Sequence, residues 1–309
     1  NTLLKSSIIN FIKDIPNVLS VTEIDKFPDK KLEKLEKREV KPQISGIWFP
    51  QETVLYAPML ANPRESIYSA EYHIGDNIMG QKSIAVSYGD NFPVFRWRNV
   101  FVWKGDLQFD VQAGVWSVFK MGVDYNGEIS ELMNTDYLIG LPLSYAVGQW
   151  AFRLRPYHVS SHLGDEFMDH NPTVKRLNPS MEAVDLFASY QINPNLRFYG
   201  GAGWVFHSDK TYPIEPPFYF EYGGEMRVLG RSFFYHKLYG TPFLALFMRN
   251  WQVNHWNLDA TYMVGYEFSK LQGVGRKARL YFEYHNGYSE GQFFKEYTSY
   301  TGVGFSWGF

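Results

Sequence analysis

From Trp150 to His162 the chain reads WAFRLRPYHVSSH, and its side chains sort in twos. Trp150, Phe152, Leu154, Pro156, His158, Ser160 and His162 fall on one face, and Ala151, Arg153, Arg155, Tyr157, Val159 and Ser161 on the other. A period of two belongs to a β-strand, whose successive side chains point to opposite faces. Large apolar groups opposite two arginines demand two different surroundings. A soluble sandwich would give the apolar row a core, whereas a membrane barrel gives it lipid and gives the arginines a polar lumen.

Composition decides between them. Phe, Tyr and Trp make up 18% of the 309 residues while Asp, Glu, Lys and Arg are held to 20%, and the mean hydropathy of −0.30 fits neither a helical membrane protein nor a disordered chain. No apolar run reaches the roughly 20 residues of a spanning helix; the best candidate, Leu138 to Val147, is broken by Gly140, Pro142 and Ser144. After Ser66 alternating segments recur near 66–75, 82–90, 107–120, 135–147, 149–162, 181–192, 195–207, 217–230, 241–251, 255–269, 277–288 and 299–309. Short connections such as Gly148-Gln149 and Asn193-Pro194-Asn195 alternate with long polar ones at 121–134, 163–180, 208–216 and 289–298. Short periplasmic turns and long external loops are the pattern of a bacterial barrel. The expectation is an all-β chain, a transmembrane antiparallel β-barrel of about 12 strands over residues 66–309, placed in the bacterial outer membrane. The last strand sets Thr301, Val303, Phe305, Trp307 and Phe309 outward and Gly302, Gly304, Ser306 and Gly308 inward. It ends on an aromatic residue, which resembles the signal read by the barrel-assembly machinery.

The first part of the chain is different. In residues 1–24, Leu4, Ile8, Phe11 and Ile12 recur at helical spacing, Pro16 ends the run, and Val18 to Ile24 alternates as a strand. This predicts a small N-terminal α/β periplasmic segment. Its IPNVLSV stretch resembles the end of a BON-type periplasmic domain, with Asn17 in place of the usual glycine and no preceding strand. Residues 25–65 read as a charged linker followed by an extended Pro/aromatic segment that lines the barrel entrance or lies beneath it. Without a signal peptide the chain reads as mature or trimmed, and residues 1–65 are the surface offered to a periplasmic or envelope protein partner.

Blocks spread over nearly the whole chain, LYAPMLANPRES (55–66), VSYGDNFPVFRW (86–97), YHVSSHLGDEF (157–167), LRFYGGAGWVFHSD (196–209) and FEYHNGYSEGQFF (282–294), resemble an uncharacterised family of outer-membrane β-barrel proteins first described from chlamydiae. The resemblance implies an outer-membrane location and brings no activity with it, so chemistry has to come from residues.

His158 and Ser160 point the same way on one strand, as a base and the hydroxyl it deprotonates must. In spacing and in lying on a barrel strand they are similar to the His-x-Ser of outer-membrane phospholipase A and lipid A deacylase. Those enzymes set the pair on the lipid-facing wall and orient the histidine from the next strand. Glu182 matches that third position: Val184, Leu186, Ala188, Tyr190 and Ile192 define the outward face of its strand, and a carboxylate facing lipid is costly unless it has a task. The candidate catalytic residues are therefore His158, Ser160 and Glu182, acting on acyl esters of outer-membrane lipids, phospholipid or lipopolysaccharide. Backbone amides near Gly164, or a loop-bound Ca²⁺, are the candidates for oxyanion stabilisation. The following loop carries His162, Asp165, Glu166, Asp169 and His170; Asp165, Glu166 and Asp169 are the oxygen ligands that suit Ca²⁺.

A second set faces the lumen. Arg153, Arg155, Arg197, Arg227, Arg249 and Arg279, with Glu221, Glu225, Asp259, Glu267 and Glu283, fall on inward faces, joined by His285 and His207. Charges in a narrow barrel must pair, and such a network plugs the lumen. Two alternatives thus stand beside the hydrolase: a narrow channel with a plugged, charged lumen, and a structural or assembly subunit of an envelope complex. A formal net charge of −2 gives no ground for nucleic acid as a partner. The absence of cysteine excludes disulfides and thiol catalysis.

Overall fold

The computed structural model describes residues 45–50, 54–65, 67–122, 130–228, 239–271, 274–291 and 295–309. The helix and strand expected in residues 1–24 and the charged run lie outside them, as does the extra structure expected between Arg231 and Lys237.

The described strands are β1 (Ser45–Trp48), β2 (Tyr68–Asp76), β3 (Gly80–Val100), β4 (Gly105–Lys120), β5 (Glu131–Gly140), β6 (Leu143–Val147), β7 (Trp150–Leu163), β8 (Ser180–Asn193), β9 (Leu196–Ser208), β10 (Phe218–Arg227), β11 (Tyr239–Trp251), β12 (Leu258–Leu271), β13 (Val274–Tyr288) and β14 (Tyr297–Gly308). From β2 onward each is antiparallel to its neighbours, and β14 returns to β2 through pairs from Thr301–Ile74 to Trp307–Tyr68. The result is a closed antiparallel barrel of twelve staves. Closure leaves no edge strand in the lipid zone, where an unpaired row of backbone amides would be costly. β5 and β6 form one stave, lying end to end between β4 and β7. Pro142 divides them because it has no N–H to give the ladder; its carbonyl instead accepts from the Asp110 amide at 2.9 Å.

The faces follow the alternation. On β7, Phe152 and Leu154 are exposed on the outer wall and Arg153 and Arg155 are buried inside. On β14, Val303, Phe305 and Trp307 face outward and Gly304, Ser306 and Gly308 inward. At one end the connections are tight: Gly148, at φ +58°, turns β6 into β7, and Asn193 Oδ1 accepts from the Asn195 amide at 2.9 Å between β8 and β9. The opposite end carries four long connections, 121–130, 164–179, 209–217 and 289–296, while 228–238 joins β10 to β11 at the tight-turn end.

Two segments depart from expectation. β3 does not stop near residue 90 but runs to Val100, through irregularities at Pro93/Phe95 and Trp97/Val100 that disturb its alternation. Its far half gains a second partner in β1, from Ser45–Arg98 to Trp48–Phe95. Residues 54–65 of the Pro/aromatic segment, expected at or beneath the entrance, lie inside the barrel. Tyr56, Met59, Leu60 and Ala61 pack against the inward Phe187, Tyr199, Phe243 and Phe247. Full burial of each such side chain is worth about 1.5–3 kcal/mol.

Polar bonds fix this inner segment. Glu65 pairs with Arg153 at 3.1 Å and Arg64 with Asp136 at 2.8 Å. Arg197 donates to the carbonyls of Ala57 and Pro58 at 2.7 and 2.9 Å, and the Leu60 amide to Glu225 at 3.1 Å. The remaining lumenal arginines pair as their inward positions require: Arg155 with Asp185, Arg249 with Asp259, and Arg227 with Glu267 at 2.8 Å. The lumen is a filled, ion-paired interior.

Candidate active site on the outer wall

The polar residues of interest interrupt an apolar wall. In the register of β7 and β8, His158 stands directly opposite Glu182, and Ser160 opposite Ser180. On the other flank β5 sets Ile139 beside His158 and Tyr137 beside Ser160, both exposed to the outside. All three candidate residues thus share the outer face, towards the long-loop end of their strands.

Glu182 Oε1 lies 2.8 Å from His158 Nδ1. That contact leaves Nε2 of the imidazole for a second partner, the division of labour by which a base is oriented through one nitrogen and works through the other. The side chains are 39% and 32% exposed, which places them within reach of a molecule in the surrounding leaflet. Ser160 makes no hydrogen bond with His158, nor with any other side chain among the described residues. Its hydroxyl and the free imidazole nitrogen remain same-face neighbours.

A fourth residue joins them that the alternation had assigned to the lumen. His207 Nδ1 contacts Glu182 Oε2, so one carboxylate holds two imidazoles. The cause is a β-bulge: Glu182 pairs with His207 and Ala183 with Val205, leaving Phe206 without a partner. An extra residue shifts the phase of everything beyond it, and His207, 65% exposed, emerges outside beside Phe206. Only the bulge, which strict alternation cannot announce, brings it there.

The loop residues do not gather. Asp165, Glu166 and Asp169 lie in the short helix α1 (Asp165–His170). Asp165 pairs with Arg176, and Glu166 accepts from the Leu132 amide at 3.0 Å. His170 bonds Glu131 at 3.0 Å, and His162 bonds Asn178 at 3.2 Å. Among the described residues, the three carboxylates form no cluster of converging ligand atoms, so this loop is not preorganised for Ca²⁺. Nor is the Gly164 amide free for an oxyanion, since it donates to the Met133 carbonyl at 3.1 Å.

A closed barrel with an apolar wall, a filled polar interior and no helix long and apolar enough to cross a membrane among the described residues is built as an integral outer-membrane β-barrel. The chain belongs to the family described as "Protein of unknown function (DUF1207)", whose model matches residues 1–309. No curated protein matches it. Among solved structures it is similar to outer membrane phospholipase A from Escherichia coli, at 15% identity and a TM-score of 0.51, over 80% of this chain and 93% of that one. The Salmonella typhi outer membrane phospholipase dimer with bound calcium gives 15% identity and a TM-score of 0.52, over 83% and 99% of the two chains. LpxR from Salmonella typhimurium is more distant, at 10% identity and a TM-score of 0.37, over 79% and 100%. At these identities the likeness is one of fold.

Proposed function

We propose that the barrel is an acyl-ester hydrolase of outer-leaflet lipids, phospholipid or lipopolysaccharide, with Ser160 as nucleophile, His158 as base and Glu182 as the acid that orients it. The observation that carries this reading is the 2.8 Å contact between Glu182 and His158 Nδ1 on the lipid-facing wall, with a hydroxyl two residues along the same face. The phospholipase fold of the structural neighbours supports it.

In this reaction Ser160 Oγ attacks the ester carbonyl carbon while its proton passes to His158 Nε2. Glu182 stabilises the imidazolium, which then protonates the departing alcohol and leaves an acyl-serine. Water, deprotonated by the same imidazole, attacks the acyl-serine and releases the fatty acid. A rotamer change at Ser160 or His158 brings the pair into hydrogen-bond reach when substrate is present; such bonds commonly tighten only in the complex. A Ca²⁺ ion, were one recruited with the lipid headgroup, would supply positive charge to the oxyanion.

The test is fatty-acid release from phospholipid and from lipopolysaccharide in detergent micelles with Ca²⁺ supplied. Ser160→Ala is expected to lower release to background and Glu182→Gln by about 10²-fold or more, both with unchanged heat-modifiable migration on a gel. Wild-type release no greater than that of Ser160→Ala overturns the reading.

The missing Ser160 hydrogen bond favours a second reading, in which His158, Glu182 and His207 anchor lipopolysaccharide headgroups to a structural subunit. That reading expects headgroup binding that Ser160→Ala leaves intact and no turnover. The filled lumen disfavours the channel.

A further inference from the structure

Six lumenal carboxylates are matched to guanidinium groups: Glu65, Asp136, Asp185, Glu225, Asp259 and Glu267 each pair with an arginine. The corner where β2, β14 and β13 meet is different. Glu71, Glu283 and Glu290 have no lysine or arginine partner among the described residues. Glu71 is held by His73 Nε2 at 3.1 Å and by the Tyr281 hydroxyl at 2.6 Å. Glu283 and Glu290 share a single donor, the Tyr300 hydroxyl, at 3.2 and 2.6 Å. A phenol has one proton to give, so one of these two buried carboxylates is always left short of a donor.

A glycine stands between His73 and Glu283. In the sheet register His73 faces Gly302, which faces Glu283. A Cβ on Gly302 would stand 3.1 Å from His73 Cδ2, 3.6 Å from its Nε2 and 3.7 Å from Glu283 Cβ. The glycine therefore lets the His73 imidazole and Glu283 approach one another, where any side chain would crowd the ring. On the far side of His73 its register partner Ser83 shares the lumenal face, and this fully buried hydroxyl has no hydrogen-bond partner among the described residues. A buried polar atom of this kind costs about 1–3 kcal/mol unless something satisfies it. A stacked Tyr300 ring, 4.1 Å away centroid to centroid, sets the plane of the His73 imidazole.

We propose that Glu71, His73 and Glu283 form a lumenal site for one divalent transition-metal ion of the Zn²⁺ type. One ligand atom from each lies within 4.8 Å of the other two. The 3.1 Å between Glu71 Oε2 and His73 Nε2 is close to the separation of adjacent ligands that each sit about 2.0–2.2 Å from one ion. Two carboxylates and an imidazole suit zinc or manganese, whereas calcium and magnesium favour oxygen alone. Bound there, the ion offsets the excess negative charge. It also ties β2 to β13 across β14, next to the seam that closes the barrel. The site is separate from the outer wall and does not depend on the hydrolase reading.

The full chain, refolded in detergent with Zn²⁺ and desalted, should retain one zinc per chain by mass spectrometry and unfold at a higher temperature than protein refolded with chelator. Glu283→Gln removes one ligand without changing its shape, and should weaken zinc binding by more than the roughly 10–100-fold that losing a group behind a ligand costs. Gly302→Ala keeps every ligand but crowds the His73 imidazole, and should weaken binding as well. The paired change His158→Asn with His207→Asn, on the outer wall, should leave the lumenal zinc in place. Wild-type protein that keeps no zinc overturns the proposal, and that measurement needs no variant to fold. Retention that survives both Glu283→Gln and Gly302→Ala, or that vanishes with the outer-wall pair, overturns it too.

Discussion

Glu65 and Arg153 test whether the inner segment is what closes the lumen. Their 3.1 Å ion pair is almost wholly removed from solvent on both sides. At an effective dielectric constant near 20, a pair at this separation gains about 5 kcal/mol of Coulomb energy. Removing one partner of such a pair typically costs about 3–5 kcal/mol, because a buried charge is left unmatched. Glu65→Gln strands Arg153, two of whose nitrogens already lack hydrogen bonds; Arg153→Met strands Glu65. Each single change should therefore free the inner segment, seen as faster protease cleavage within residues 54–65 and as ion conductance in planar bilayers that wild type lacks. The double change, Glu65→Leu with Arg153→Met, removes both charges, and apolar replacement of a buried pair is often neutral or stabilising by about 1–4 kcal/mol. It should restore protection and low conductance. Additive losses in the double variant would refute the reasoning, since a coupled pair must show a large interaction term.

Three further outcomes follow from the packing. Leu154→Arg puts a charge on the lipid-facing wall and should destabilise the barrel by about 2–4 kcal/mol if the position lies near the bilayer midplane, measured by urea titration of folding into liposomes. Tyr56→Phe removes a buried hydroxyl that has no hydrogen-bond partner and keeps the ring that Arg153 stacks on at 4.7 Å, so stability in the same titration should be unchanged or raised. At Gly203 an added methyl would stand 1.9 Å from the Tyr219 ring; Gly203→Ala should cost about 1–3 kcal/mol through overpacking, visible as a lower temperature in the heat-modifiability assay.

What was legible in the sequence was whatever depends on neighbours along one strand. The alternation at Trp150–His162 gives the wall and the lumen of β7 correctly, and the same phase puts Arg197, Arg249 and Arg279 inside. The phase of β8 sets Glu182 on the side of His158 and Ser160; that Glu182 stands opposite His158, one rung from Ser160, is a matter of register between strands. Three things depend on distant parts of the chain and were not legible. A bulge in β9 reverses the side of His207. The course of residues 54–65 is set by inward side chains of later strands, among them β5 and β7 to β11, and its local composition says only that it is extended. The acidic loop residues look like ligands in sequence, yet Asp165 and Glu166 are bound to Arg176 and Leu132 once the loop folds.

The two sides of the wall treat charge differently, and that contrast bears on function. Inside, many carboxylates face arginine, whose positive charge is permanent, so these pairs are fixed parts of the interior. Outside, Glu182 faces two imidazoles. A structural anchor for Glu182 would be better served by arginine, which bonds both carboxylate oxygens at once and needs no particular protonation state. An imidazole bound through Nδ1 instead keeps Nε2 available for proton transfer, a property with no value to an anchor and of direct use to a hydrolase. Only His158 of the two histidines has a hydroxyl two residues along its own face. His207, whose nearest outward neighbours on β9 are Phe206 and Trp204, has no such nucleophile and is left to hold the second oxygen of Glu182. On the proposed hydrolase reading the wall site divides into a reacting half on β7 and a supporting half on β9, with Glu182 between them.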